Sequence, residues 1–129
     1  MSRIIKLLVL STVFILALSA CGASGDMAAQ AVQDYYQAIV DGDAERAVAL
    51  ACADWELNAQ MDVDSFQAVD ASLDDFTCEQ TGTNGDMATV DCQGKIVMSY
   101  VGEDQFLDLT AFYQAQIVGG DWLFCGYSQ

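Results

Sequence analysis

Cys21, Cys52, Cys78, Cys92 and Cys125 are the most distinctive chemical groups in this sequence, set among nineteen Asp and Glu with no histidine. Thiolates that hold zinc or cycle as a redox pair usually stand as CxxC, and none of these five does. Their expected chemistry is therefore oxidation to disulfides. The run Asp41-Gly42-Asp43-Ala44-Glu45 has the look of a calcium loop. Counted from Asp41, however, the sixth position is Arg46 where the loop needs glycine, and the twelfth is Cys52 where it needs a bidentate glutamate. A helix end followed at once by a helix start accounts for the same residues. Without histidine the commonest general base and metal ligand is missing, so no cofactor and no metal is expected.

The position of Cys21 sets it apart from the other four. Arg3 and Lys6 precede an apolar run from Leu7 to Leu18 that is broken only by Ser11 and Thr12. This is the charged start and short apolar core of a secretion signal, too short for a membrane-spanning helix of ~20 apolar residues. The run closes on Leu18-Ser19-Ala20-Cys21, which resembles the bacterial lipobox, whose cysteine is linked to diacylglycerol by a thioether and becomes the mature N-terminus. The resemblance implies a signal peptide at residues 1–20, a lipidated Cys21 with a short tether at 21–25, and a domain at 26–129. It also implies a cell-membrane location, lipid-anchored on the extracytoplasmic side, with the bilayer as a partner. In that oxidising compartment the four remaining cysteines are expected to form two disulfides.

Charge narrows the partners further. The chain carries a formal charge of −15, and beyond the leader its only basic residues are Arg46 and Lys95. Such a field repels phosphate backbones and anionic headgroups, which excludes nucleic-acid binding and leaves anchoring to the lipid.

Ala28, Ala31, Val32, Tyr35, Tyr36, Ile39 and Val40 recur at helical spacing, so the pattern predicts a helix over 26–41 with Asp26 as N-cap and Gly42 as its end. Asp43 then caps a second helix with Ala44, Ala47, Val48, Ala51, Cys52 and Trp55 as its apolar stripe, placing Cys52 on the buried face. A short third helix carries Phe66 and Val69. From about Ser72 the period becomes two, with turn signals at Asn84-Gly85, Gly102-Glu103-Asp104 and Gly119-Gly120, predicting four antiparallel strands. A turn centred on Glu103-Asp104 would set Tyr100, Met98 and Ile96 against Leu107, Leu109 and Ala111 on one face. Helices followed by a meander make an α+β domain, with the helices on one side of a curved four-stranded sheet.

The segments VQDYYQAIVDGDAERAVAL (Val32 to Leu50) and GGDWLFCGY (Gly119 to Tyr127) resemble the nuclear transport factor 2-like superfamily, also described as cystatin-like or SnoaL-like, and its small bacterial lipoproteins in particular. The resemblance implies a cone enclosed by helices and sheet. Enzymes of the superfamily place acids and tyrosines inside it, which here would mean a pocket lined by Tyr35, Tyr36, Phe66, Tyr100 and Tyr113 with Asp70 as base. Against an isomerase- or cyclase-like activity, Asp91 and Asp108 fall on the outward face of the central strands. The expected role is a lipid-tethered accessory or interaction module, with apolar-ligand binding in the cone as the alternative. An outward patch of Phe106, Thr110 and Phe112 would serve a homodimer or another protein.

With this topology, a three-residue loop of Asn84, Gly85 and Asp86 sets Cys78 opposite Cys92, whereas a two-residue Asn-Gly turn turns the two thiols to different faces. Pairing of Cys78 with Cys92 leaves Cys52 for Cys125. A tight Gly119-Gly120 turn points Trp122 and Phe124 inward and Cys125 outward, and a longer turn does the reverse.

The anchor is open to direct test. Cys21→Ser is expected to abolish lipid attachment, giving uncleaved precursor or released protein in detergent phase partition; a variant that partitions like the wild type would refute the lipobox assignment.

Overall fold

The computed structural model describes residues 23–127, with side chains described from Met27 onward. The expected leader at 1–20, the lipidated Cys21 and the Asp26 side chain lie outside the described residues. None of the described helices is long and apolar enough to cross a membrane.

Helix α1 (Ala23–Asp41) starts before the expected boundary, so the backbone of Ala23 to Gly25 is helical where a tether was expected. Its buried stripe of Ala28, Val32, Tyr35 and Ile39 faces the sheet. Gly42 ends it at φ 71, a left-handed conformation that costs glycine little. The Gly42 N–H donates to the Ile39 carbonyl (3.1 Å) and the Asp43 N–H to the Ala38 carbonyl (3.0 Å), the paired bonds of a Schellman ending. Asp43 then caps α2 (Ala44–Ala49), its carboxylate accepting from the Arg46 N–H at 3.1 Å. The calcium-like run is thus one helix end joined to one helix start.

Helix α2 stops earlier than its apolar stripe predicts. Leu50 to Cys52 run alongside the last strand instead, the Cys52 N–H donating to the Phe124 carbonyl and the Phe124 N–H to the Leu50 carbonyl, both at 2.8 Å. A 3-10 turn (Ala53–Trp55) follows, then α3 (Glu56–Ser65), which buries Ala59 and Val63. Phe66 closes that helix as its C-cap.

The strands are β1 (Asp70–Asn84), β2 (Met87–Tyr100), β3 (Glu103–Asp108), β4 (Ala111–Val118) and β5 (Asp121–Tyr127), all antiparallel. β3 and β4 both pair with β2, one with each half, so they occupy a single place in the sheet and the four-stranded expectation holds with its third strand interrupted. Helix α1 packs across β1, β2, β4 and β5, giving the α+β architecture of helices on a curled sheet.

Two of the three turns sit where the sequence did not place them. The first hairpin closes on Gly85-Asp86, with Asn84 opposite Met87, and a register shift between Gln80 and Gly82 restores Cys78 opposite Cys92. The second closes on Val101-Gly102, pairing Tyr100 with Glu103 and Ile96 with Leu107. Its register differs from the expected one, yet the same side chains share a face because the shift along the strand is even. The third is the tight Gly119-Gly120 turn, so Phe124 points inward. Cys125 points away from the core and meets Cys52, because Cys52 comes to it along the sheet edge and not from a buried helix face. The structure joins Cys52 to Cys125 (Cα–Cα 5.1 Å) and Cys78 to Cys92 (Cα–Cα 4.1 Å).

The sheet bends at Gly94. Between Asp74 and Thr77 the β1 register shifts, Asp75 takes φ 49, and Gly94 faces the irregularity at φ 125. A Cβ on Gly94 would lie 2.6 Å from the Asp75 carbonyl oxygen and from the Phe76 Cα. Both are backbone atoms, so neither a rotamer change nor a normal φ offers relief. Gly94→Ala is expected to lower unfolding free energy by about 2 kcal/mol or more, read as a lower urea midpoint. A change within the ~0.5 kcal/mol scatter of ordinary surface substitutions would show that the bend does not constrain this position.

Candidate functional site

The space between helices and sheet is packed with aromatic rings. Tyr35 stacks on Phe124 with centroids 4.0 Å apart and planes 12° from parallel. Tyr36 meets Phe76, Tyr113 and Phe124 edge-on at 5.4, 5.5 and 5.6 Å. Trp55 closes on Phe124 and Tyr127 at 5.9 and 6.1 Å. Such edge and offset contacts add ~0.5–1.5 kcal/mol each beyond the area they bury. Tyr35, Tyr113 and Phe124 are fully enclosed.

One polar network penetrates this cluster. The Tyr35 hydroxyl donates to Asp62 Oδ2 at 2.7 Å and accepts from Trp55 Nε1 at 3.1 Å. Three elements position it: α1 brings Tyr35, the 3-10 turn brings Trp55, and α3 brings Asp62. Gly126 fixes the indole, since a Cβ there would lie 2.6 Å from the Trp55 ring. The Tyr113 hydroxyl donates separately to the Leu109 carbonyl at 2.6 Å.

Burial sets the proton affinities. It pushes the Asp62 carboxyl above the ordinary carboxylate value, with the Tyr35 hydrogen bond acting more weakly in the opposite sense. Burial likewise raises the Tyr35 phenol, and Asp62 adds to the rise by accepting its proton and by its charge. Tyr36 is raised by burial and by the Tyr113 and Tyr127 hydroxyls, and Tyr113 is pushed up to about 12, mainly by burial. These tyrosines hold their protons at neutral pH. The Tyr35 proton is already committed to Asp62, so that hydroxyl has no proton left for a ligand.

Of the five residues expected to line a pocket, the structure brings Tyr35, Tyr36 and Tyr113 together in the core and packs Phe66 against its edge. Tyr100 stands apart at the tip of the β2–β3 hairpin, 58% exposed. Asp70, the expected base, is exposed at the far end of the sheet opposite Ser99. The acid inside the cone is Asp62, which the sequence reading missed together with the indole of Trp55. The signal was present: Trp55, Ala59, Asp62, Val63 and Phe66 recur at helical spacing, and an acid on an apolar stripe marks a buried, partnered carboxylate. Phe106 and Phe112 are exposed, as is Thr110, on the side of the sheet away from the core. Among the described residues no group of three or more Cys, Asp or Glu is arranged to hold a metal ion. Surface depressions of about 310 Å³ (Met27, Ala31, Trp122) and 470 Å³ (Val48, Ala51, Gln116) lie outside the aromatic cluster, flanking β5.

This arrangement of helices and sheet matches known structures. A candidate dehydratase of the nuclear transport factor 2-like family from Streptomyces avermitilis superposes with a TM-score of 0.57 at 14% identity, over 81% of this chain and 96% of that one. A nuclear transport factor 2-like protein with a cystatin-like fold from Novosphingobium aromaticivorans gives a TM-score of 0.56 at 16% identity, over 77% and 75% of the two chains. A candidate scytalone dehydratase from the same organism gives 0.53 at 16%, over 74% of each. The fold is nuclear transport factor 2-like. No family model matches the sequence, and no curated protein matches it either. At these identities the likeness extends to the cystatin-like cone and not to the residues inside it.

The raised Asp62 carboxyl makes stability depend on pH in a definite sense. A folded state that holds this proton more tightly than the unfolded chain gains stability below the ordinary value of ~3.9 and loses it as pH rises through the raised folded value. Asp62→Asn keeps an oxygen for Tyr35 but cannot titrate. The stability advantage of the wild type over this variant is expected to shrink as pH rises above the ordinary carboxylate value of ~3.9 in urea titrations. A difference that stays flat or grows with pH would contradict the assignment.

Proposed function

We propose that this chain is an extracytoplasmic accessory module, tethered to the cell membrane by diacylglycerol on Cys21, whose domain engages a protein partner through its outer surface. The observation that carries this reading is the filled cone, in which Phe124 is in ring contact with Tyr35, Tyr36, Trp55 and Tyr113 where a small molecule would otherwise sit. A core packed at this density admits a guest only by displacing rings from their contacts. The exposed Phe106 and Phe112 are the surface groups that support protein contact, with another copy or with a different chain.

A second reading is binding of a small apolar ligand in the cone. Its support is the fold itself, since two of the similar structures bear dehydratase names, which suggests a cone suited to a ligand. The half-buried Asp62 beside Tyr35 is where such a ligand would meet a polar group. An isomerase- or cyclase-like reaction would need the same place, with the Tyr35 hydroxyl released from Asp62.

Titration of a soluble form beginning at Gly22 with the neutral apolar dye Nile red separates the two. The interaction reading expects weak, non-saturating fluorescence. Saturable one-to-one uptake that quenches Trp55 would overturn it in favour of the ligand.

A further inference from the structure

β3 is the least covered element of the fold. All six of its residues, Glu103 to Asp108, are exposed, and its substantial contacts are with β2 alone. Among the described residues no strand pairs with its other side. The direction of its main chain follows from its neighbours. Glu103 closes the hairpin opposite Tyr100, and the Leu109 N–H donates to the Gly94 carbonyl at 2.9 Å, so odd-numbered residues turn their amides toward β2. Asp104, Phe106 and Asp108 therefore turn their N–H and C=O groups to the open edge. The next amide on that edge, Thr110, is already satisfied by Asp108 Oδ1 at 2.8 Å. This contact also holds the Asp108 carboxyl below the usual range and keeps it charged.

The side chains on this edge discriminate among occupants. Asp104, Phe106 and Asp108 share one face, so a carboxylate stands on either side of an exposed ring. Lys95 lies over that ring at 4.6 Å and bridges to Asp74 at 3.6 Å. Neither Glu103 nor Asp104 forms an ion pair among the described residues. A second copy pairing antiparallel about Phe106 would set Asp104 against Asp108 twice, and like charges directly opposite are destabilising. A bilayer with anionic headgroups is repelled by the same groups and by the −15 charge of the chain. A strand carrying two cations around an apolar residue meets no such opposition.

We propose that the outer edge of β3 is a docking site for an extended basic segment of a partner protein. The segment adds as a further strand along Glu103 to Asp108, with Lys or Arg flanking one apolar residue on the face of Asp104, Phe106 and Asp108. Main-chain bonds to Asp104, Phe106 and Asp108 supply affinity, and the two carboxylates and the ring supply selectivity. This inference rests on the interaction reading given above and names the chemistry of the partner.

The test uses the whole chain in nonionic micelles and a capped peptide of alternating character, Thr-Lys-Thr-Val-Thr-Lys-Thr, followed by fluorescence anisotropy and by amide hydrogen exchange. A control peptide of equal charge with proline at the central position measures diffuse attraction to an acidic protein. The proposal expects the first peptide to bind at least about tenfold more tightly than the control and to protect the amides of Asp104, Phe106 and Asp108. Phe106→Pro removes an outward N–H and leaves the bonds to β2, and Asp104→Lys reverses one charge. Each is expected to reduce binding at least about tenfold, with the far-ultraviolet dichroism unchanged. Equal binding of the two peptides, or binding that both variants retain, overturns the proposal. So does protection of these amides without peptide that grows with protein concentration, which would mark a second copy. A negative peptide result combined with non-saturating Nile red rejects only the edge, whereas saturable dye uptake rejects the interaction reading itself.

Discussion

Phe124 is held at once by its ring and by its main chain, and the arrangement of the helices depends on that double constraint. Its N–H and C=O bond outward to Leu50 and Cys52, drawing the chain after α2 into the sheet edge. Its ring stacks on Tyr35 and receives Tyr36, Trp55 and Tyr113. The next residue, Cys125, is bridged to Cys52, and the one after, Gly126, leaves space for the Trp55 indole. Three successive residues thus fix the edge, the link and the lid of the cone. The bridge joins positions 73 residues apart, a closure worth ~4 kcal/mol on the chain-entropy account. With the indole set in place, its N–H reaches the Tyr35 oxygen and the network to Asp62 completes itself.

Much of this was legible in the sequence. Buried Val32, Tyr35 and Ile39 follow the helical period, and Val90, Cys92, Tyr113 and Ala115 follow the strand period, so the layering could be read directly, while the inward face of β5 hung on the length of its turn. The positions of the first two turns could not, for a physical reason. Turn preference is a local energy, while the register is fixed by which side chains must face the core. In the first hairpin the Asn84-Gly85 signal gives way by one residue, and the irregularity at Thr81 absorbs the difference so that Cys78 still meets Cys92. In the second, Val101 takes φ 52 in the turn, a conformation poorly suited to a β-branched residue, and the neighbouring acidic pair remains in β3. Cys52 was misplaced because Ala51 and Cys52 continue a helical apolar stripe, and nothing local shows that β5 offers them a better set of hydrogen bonds. Asp62 was legible in principle, as an acid within an apolar stripe, but only to a reading that began α3 at Trp55.

The polar network bears on what the cone can do. A tyrosine hydroxyl has one proton to give, and Tyr35 gives it to Asp62, while Trp55 occupies part of its acceptor capacity. Burial raises both proton affinities, and the hydrogen bonds make the pair an internally satisfied group of the kind that buried polar atoms require. It secures α1, α3 and the 3-10 turn to one another. A ligand entering here would first have to break it, and the rings around it leave little space in which to do so.

The edge of β3 shows the opposite economy. Exposed strand edges invite pairing, and proteins commonly protect them with charge, short length or a covering element. Here the strand is short and charged, but every charge is of one sign, which protects only against partners of that same sign. Copies of this chain are such partners. A strand of opposite charge is not, and against it the device changes from a barrier into a recognition element. The hairpin also carries strain at Val101 and an uncovered ring at Phe106, neither of which the core requires. When the interior is closed and satisfied while one edge keeps open main-chain groups, an exposed aromatic and a selective charge pattern, the unspent interaction capacity of the fold is at that edge.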